Sequence, residues 1–565
     1  MNFVNYHPIM KYSSVVDIDQ WPINIASQKQ DVIREIVIND AYNMLLEQFP
    51  HRNLWREMLQ KTAYSEKYRI KNEAWSVDPK DDYKFWKRVE RQIYKTDPIL
   101  MDETQGETIE KKLVKDIIRR YVNEMMGKFD VEFYKTSVKT APYFFGRLFN
   151  ATADDVRNIF FPKTLLRDKI VNLGPIEKIR QLSTKGTIIL LPTHFSNLDS
   201  MMIGYGLSNM GLPPFQYAAG LNLFNSKIFG FFMERLGAYK LDRRKKNAIY
   251  LQTLKSFSRT NILEGVHTLF FPGGTRSRSG AMEEHLKLGL VGTAIEAQRI
   301  HCERDKNHPK KIFILPLCMS YHFVLEAKSL IEEHLTKTGK ELYITIDDEF
   351  AQTQAIAKFL WGVYKETSEI SLSFGEPMDL FGNAVDMDGN SLDARGNIIN
   401  ISHFFSSKGV VNEDAQREQE YTRQLGERIL KSYLKINVVY ASHLVAFVAF
   451  QILLKEHPKT ELYSFLKIPP QKLSIEYKHF VAVTAEILKE LYALRDRDEL
   501  KLALHMDQKV EKVIEYGLKN IGIYHAVDPI IKKGNKILTE NLKLLYFYHN
   551  RLKGYDLERL IKRKT

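Results

Sequence analysis

Residues 186–200 read GTIILLPTHFSNLDS, a short apolar run that stops at a proline and opens into a polar stretch rich in helix-capping residues. The apolar and β-branched residues 187–191 are too few for a buried helix and suit a strand covered on both faces. VHTLFFPGG (266–274), KIFILPLCMSY (311–321) and EISLSFGEP (369–377) are β-rich runs of the same kind, each punctuated by Pro or Gly. Between them, NAIYLQTLKSFSRTNILEG (247–265) and LVGTAIEAQRI (290–300) have helical periodicity, and Gly265 stands where a left-handed residue would end the first helix. This alternation predicts an α/β domain built on a mixed, mostly parallel sheet.

Outward from that centre the pattern changes on both sides. DVIREIVINDAYNMLLEQF (31–49) and TIEKKLVKDIIRRYVNEMM (108–126) space apolar residues by three and four, as do REQEYTRQLGERILKSYL (417–434) and SIEYKHFVAVTAEILKELYALR (474–495). The chain has 565 residues, and domains run to about 150 residues each, so more than one unit is expected. We place an N-terminal helical domain at 1–150, the α/β domain at 151–411 and a C-terminal helical domain at 412–565. The stretch INVVYASHLVAFVAFQILL (436–454) would span about 28 Å as a helix, just short of an untilted membrane crossing. Asn437, Ser442, His443 and Gln451 interrupt it, so a buried core helix is expected. FGNAVDMDGNSLDARGNIIN (381–400) repeats Asp-x-x-Gly and Gly-Asn but lacks the glycine and glutamate of a calcium loop; turns capped by Asp and Asn are expected.

Hydrophobic residues make up 44% and charged residues 27%, which points away from disorder and from a multi-span membrane protein. Two cysteines, Cys302 and Cys318, are too few for a disulfide framework and fit a reducing compartment. The first residues do not read as an export signal. Lys and Arg outnumber Asp and Glu by 82 to 69, a net +13 that favours phosphate-bearing partners or an anionic membrane surface.

Strand exits are where α/β folds place their ligands. His194 follows the strand of the opening stretch, and Asp199 falls in the first turn of the next helix, with Ser196 or Asn197 as its cap. A carboxylate there can fix the tautomer of His194 and raise its basicity, leaving the imidazole ready to take a proton. At the second exit, Gly273 and Gly274 allow close backbone approach, while Arg276, Ser277 and Arg278 form an anion site. GAYKLDRRKK (237–246) and ILPLCMSYHFVLE (314–326) complete four blocks. The aromatic stretch 221–233 suits either a lipid-facing surface or a buried helix.

In this order the four blocks resemble the glycerolipid acyltransferases, most closely the bacterial glycerol-3-phosphate acyltransferases, over about residues 140–380. That resemblance implies a catalytic pair at His194 and Asp199, and an acceptor phosphate held by Arg243, Arg276 and Arg278, with Lys287 nearby. It also implies an acyltransferase α/β domain between the helical ones. One position departs: where the family reads Glu-Gly, this chain has Gly273-Gly274, so a glutamate that helps hold or orient the acceptor is missing.

Moving an acyl group from a thioester to an alcohol needs a base, an oxyanion dipole and a grip on the acceptor. It needs no metal or other cofactor, and none is expected. Backbone N–H groups of Gly273 and Gly274 are candidate oxyanion donors. Direct transfer is expected, because no Ser or Cys sits in a nucleophile elbow. The expected activity is acylation of glycerol 3-phosphate by an acyl-carrier-protein or acyl-CoA thioester, by a peripheral enzyme on the cytoplasmic face of the cell membrane with no nucleic-acid partner. Acylation of 1-acylglycerol 3-phosphate is the rival within the chemistry, since FPGGTR (271–276) is close to the lysophospholipid spelling of the block. A non-catalytic basic scaffold for membrane or nucleic acid is the rival outside it.

Overall fold

The computed structural model describes residues 12–97, 99, 101–150, 170–225, 227–338, 369–523 and 525–561. The first residues and the stretch 151–169, where the α/β unit was expected to begin, lie outside the described residues. Among the described residues seven strands form one sheet: β1 Ile170–Leu173, β2 Gly186–Pro192, β3 Gln216–Gly220, β4 Ala238–Leu241, β5 Thr268–Leu269, β6 Lys311–Tyr321 and β7 Ile370–Phe374. Their spatial order is β1-β7-β6-β2-β5-β3-β4, and every pairing is parallel except β6 with β7. The sheet is mixed and mostly parallel, as expected.

β2 lies inside the sheet, Ile189 pairing with Ile314 on one side and Thr268 on the other. Ile188 to Leu191 are all buried, which is why this strand reads as an unbroken apolar run. The expected strand over 266–274 is shorter than its composition suggests: only Thr268 and Leu269 join the ladder before the chain turns into the glycine loop. The Ala248–Leu263 helix ends as anticipated, with Gly265 at φ +82° and Val266 N–H donating to the Asn261 carbonyl.

That same helix joins two cores. Ile249, Tyr250, Leu254 and Phe257 pack with apolar residues of the N-terminal helices Gln30–Gln48, Arg52–Asn72, Asp82–Lys95 and Glu103–Met125. Ile262, at its other end, belongs to the cluster that runs through the sheet into the C-terminal helices. Burial on both sides accounts for the long list of polar residues it encloses, Thr253, Ser256, Ser258 and Thr260 among them.

The apolar stretch after Lys435 forms the short strand Val438–Val439 and the helix Ala441–Glu456, in which every residue from Ala441 to Leu453 is buried. It packs against the helices Tyr477–Asp496, Val510–Asn520 and Leu542–His549. Its polar groups find partners, as expected for a core helix: Gln451 Nε2 donates to His549 Nε2 at 2.9 Å, and Asn437 Nδ2 donates to the Tyr555 hydroxyl at 3.0 Å. His443 Nδ1 accepts the Tyr440 N–H, so Nε2 donates to the Tyr321 carbonyl at 2.9 Å. Full burial of a side chain such as Phe447 contributes about 1.5–3 kcal/mol. Among the described residues no helix is long and apolar enough to cross a membrane.

Residues 379–397 form three successive Asx turns. Asp379, Asp386 and Asp393 each accept the backbone N–H of the Asn four residues on, at 2.8, 2.7 and 2.8 Å, and also its side-chain amide. Each carboxylate is engaged within its own turn, which is the turn chemistry expected of Asp and Asn at this spacing.

Candidate active site

The four sequence blocks converge because they leave strands of one sheet at the same edge. The first follows β2, the second follows β4, the third follows β5 and the fourth follows β6, each at the carboxyl end of a parallel strand. Main-chain bonds lock the first block to its neighbours: Thr193 N–H donates to the Leu317 carbonyl, and Ser277 N–H to the His194 carbonyl at 2.7 Å.

His194 Nδ1 lies 2.9 Å from Asp199 Oδ2. The same oxygen accepts the N–H groups of Phe195 and Ser196, at 2.7 and 3.0 Å, while Oδ1 accepts the Tyr321 hydroxyl at 2.6 Å. With donors converging on Asp199, Nδ1 presents its N–H and Nε2 is left as the basic nitrogen. Phe271 stacks on the imidazole with ring centres 4.0 Å apart. Burial lowers the His194 pKa below the usual histidine value; Asp199 opposes that shift, and Arg276 and Arg243 reinforce it. The basicity that Asp199 lends is therefore smaller than what burial removes. Burial, and then Asp199, push the Tyr321 phenol well above its ordinary value, so it stays a donor.

The helix Asp199–Asn209 is not capped by Ser196 or Asn197, contrary to expectation; Leu198 holds that position without a side-chain cap. Ser196 Oγ instead accepts the Leu198 N–H and donates to Glu326 Oε2 at 2.9 Å. Glu326 Oε1 accepts the Asn197 N–H at 2.9 Å and Arg276 Nη1 at 3.2 Å. One buried carboxylate of the fourth block thus ties the first block to the third. Its pKa is raised by burial, with Arg276 pulling the other way.

The remaining cations differ in what already holds them. Arg278 Nε pairs with Glu333 at 2.9 Å. Arg243 has no carboxylate partner among the described residues. It is exposed at its surface yet crowded by protein on its other sides; that desolvation, then Arg276 and Arg278, lowers its pKa. Gly274 has φ +76°, and a Cβ there would stand 2.5 Å from Lys287 Cδ, so the exposed Lys287 lies across this glycine. Ser277 turns its hydroxyl to the Ala281 carbonyl at 2.7 Å, and Gly274 N–H donates to the Phe271 carbonyl.

Two residues that the sequence reading did not single out stand behind the His194 loop. Glu283 Oε1 accepts the His194 N–H at 2.8 Å. Arg551, buried, donates to the Met319 carbonyl and to Ser320 Oγ, and lies over the Phe195 ring at 4.1 Å. Neither sits in a recognisable motif, and packing across long sequence separations brings them here. Among the described residues no group of three His, Cys, Asp or Glu is placed to hold a metal ion. A cleft of about 600 Å³ between the Arg52–Asn72 helix and residues 244–248 includes Met58, Tyr68 and Lys246, and neither His194 nor Arg276 lines it. In the 221–233 stretch, Phe231 is exposed beneath the Arg235 guanidinium while Phe224 is buried, so that surface is mixed.

The sequence model of the family described as Acyltransferase matches residues 174–320, from the end of β1 to the end of β6. The chain is 25% identical over 282 residues to a glycerol-3-phosphate acyltransferase of Pseudomonas paraeruginosa (strain DSM 24068 / PA7), covering 50% of this chain and 30% of that protein. Against the protein of that name from Pseudomonas fluorescens (strain Pf0-1) the identity is 23%, with the same coverage. Against that from Ectopseudomonas mendocina (strain ymp) it is 26% over 211 residues, covering 37% of this chain and 24% of that one. This chain therefore aligns with less than a third of each relative's length. The resemblance read from the four blocks is borne out, and residues 174–320 carry an acyltransferase domain.

Proposed function

We propose that this chain is a glycerol-3-phosphate 1-O-acyltransferase that takes its acyl group from an acyl-carrier-protein or CoA thioester. The observation that carries the reading is the His194–Asp199 pair, 2.9 Å apart, at the same sheet edge as Arg243, Arg276 and Arg278. His194 Nε2 takes the proton of the acceptor's hydroxyl as its oxygen attacks the thioester carbonyl. The tetrahedral intermediate then collapses, breaking the C–S bond, and the thiolate recovers the proton from the imidazolium. Of the two glycine N–H groups, that of Gly274 is already engaged, which leaves Gly273 N–H as the proposed oxyanion donor. Arg243 and the two arginines of the third block hold the phosphate, with Lys287 at the rim and Ser277 shaping the loop.

The net charge of +13 supports a peripheral position on the cytoplasmic membrane face, where the product would partition. We also propose that 1–150, 151–411 and 412–565 act as the helical, acyltransferase and helical domains of one enzyme. The test is an acyl-transfer assay with CoA and carrier-protein thioesters crossed against glycerol 3-phosphate and 1-acylglycerol 3-phosphate. The expected result is a kcat/KM for glycerol 3-phosphate at least equal to that for the lysophospholipid. A tenfold preference for the lysophospholipid would replace the acceptor and leave the chemistry, and no transfer to either would overturn the reading.

A further inference from the structure

Nothing in the main chain requires a glycine at 273. Gly274 has positive φ but Gly273 does not, so its backbone accepts an L side chain. What such a side chain would meet is Glu283: a Cβ on Gly273 would stand 3.1 Å from Glu283 Cγ and 3.4 Å from its Oε1. That oxygen accepts the His194 N–H at 2.8 Å, and Oε2 is buried with no hydrogen-bond partner among the described residues. On the other side of the residue, the His194 carbonyl accepts the Ser277 N–H. Both peptide groups flanking the imidazole are thus fixed by the loop that follows β5, one through Glu283 and the other through Ser277.

We propose that Glu283 is a positioning residue for acyl transfer, a carboxylate that reaches from farther along the loop into the space beside Gly273 and sets the main chain of His194. Position 273 is where the four-block resemblance leads one to expect a glutamate, and here the Glu283 side chain lies against that glycine instead. The inference rests on His194 being the base. Burial pushes the Glu283 carboxyl up to about 7, the His194 N–H only partly offsetting it. A carboxyl desolvated to that extent is costly to keep unless an acceptor is needed there. The backbone bond acts on the imidazole through geometry alone, and a displacement of ~1 Å in a reacting group can lower a rate about a hundredfold.

The experiment compares full-length Glu283→Ala, Glu283→Gln, Glu283→Gly, Gly273→Glu and the double variant Gly273→Glu/Glu283→Gly, with glycerol 3-phosphate and a long-chain acyl-CoA, each checked by thermal melting. Glu283→Ala is expected to lower kcat about 10- to 100-fold with both KM values within about twofold, since substrate contacts are untouched. Glu283→Gln keeps an acceptor oxygen and is expected to stay within about threefold of the parent. Gly273→Glu alone crowds Glu283 and loses activity, and the double variant recovers about tenfold or more over Glu283→Gly. A parental kcat for Glu283→Ala, in a protein that His194→Ala inactivates, overturns the inference and spares the base assignment. So does a double variant that melts like the parent but is no more active than Glu283→Gly. Activity in a folded His194→Ala variant removes the base, and with it the role given to Glu283.

Discussion

The Tyr321 hydroxyl donates to Asp199 Oδ1 at 2.6 Å while the opposite oxygen of that carboxylate faces His194 at 2.9 Å. Tyr321 closes β6, so the orientation of the imidazole is referenced to the longest strand of the sheet as well as to its own loop. Truncating this chain of contacts from either end has graded consequences. His194→Ala is expected to lower kcat by about 100- to 10,000-fold in a folded protein. Tyr321→Phe removes one hydrogen bond to a charged group, about 1.5–3 kcal/mol, so a loss of about ten- to a hundredfold in kcat is expected. Asp199→Asn is expected to fall between them, with steady-state kinetics and circular dichroism as the measurements.

With His194 as the proposed base, the acid limb of the rate profile is expected to report its titration. The base must be unprotonated, and burial together with Arg276 and Arg243 holds its pKa below the ordinary 6.5. The kcat/KM profile is expected to be flat through neutrality and to fall only below pH 6.5. Arg243→Ala removes a positive charge, so its limb should move to higher pH. A limb above 6.5 in the parent enzyme would contradict the burial seen here.

Phosphate binding should divide the three arginines. Arg276 is tied to Glu326 and Arg278 to Glu333, whereas Arg243 has no carboxylate to release among the described residues. Arg243→Lys keeps the charge but loses the fork, and should raise the acceptor KM about tenfold while leaving the acyl-donor KM nearly unchanged. Arg278→Lys should do less. Equal shifts for both substrates would assign Arg243 to something other than the phosphate.

Stability should fall as the medium is acidified. Burial lowers His267, His505 and His549 to about 4 and His443 to about 3, against 6.5 for the exposed side chain. The unfolded chain therefore binds protons first, and the stabilisation is complete above pH 6.5 and lost as pH drops toward 4. Glu283, raised to about 7, acts in the opposite sense but is one group against several. Denaturant midpoints at pH 7.5, 6.0 and 5.0 should decline in that order, and a constant midpoint would mean that these histidines are hydrated in the native state.

Flotation with vesicles checks the surface assignment. Recovery with anionic vesicles at low salt and release at about 1 M salt, where the Debye length is about 3 Å, is expected for attachment through basic residues. Binding that survives high salt would point instead to the exposed Phe231 and its neighbours.

What could be read in advance depended on how local the signal was. β2 and β6 were legible because burial on both faces leaves an unbroken apolar run, and Ala441–Glu456 because its polar interruptions called for partners inside a protein. β3 and β4, reading QYAAG and AYKL, carry too little apolar character to stand out, and the VHTLFFPGG run gave two ladder residues where more were expected. At the site, the apolar run that precedes them placed His194 and Asp199 at a strand exit, and the four-block resemblance paired them. Glu326 as a tie between blocks, the Glu283 carboxyl under His194 and the Arg551 contact to Met319 arise from packing across long sequence separations, for which no local pattern exists.

The helices Tyr477–Asp496, Val510–Asn520 and Leu542–His549, which pack on Ala441–Glu456, follow it in the sequence, the last of them ending at His549. A ribosome adding about 5–20 residues per second therefore leaves this greasy segment without its native cover for several seconds or more. During that interval the nascent chain presents a surface that chaperones, or the machinery that sorts membrane segments, would engage. The yield of folded enzyme in a cell should consequently depend on holdase capacity at that stage of synthesis, even though the finished molecule keeps the segment out of reach.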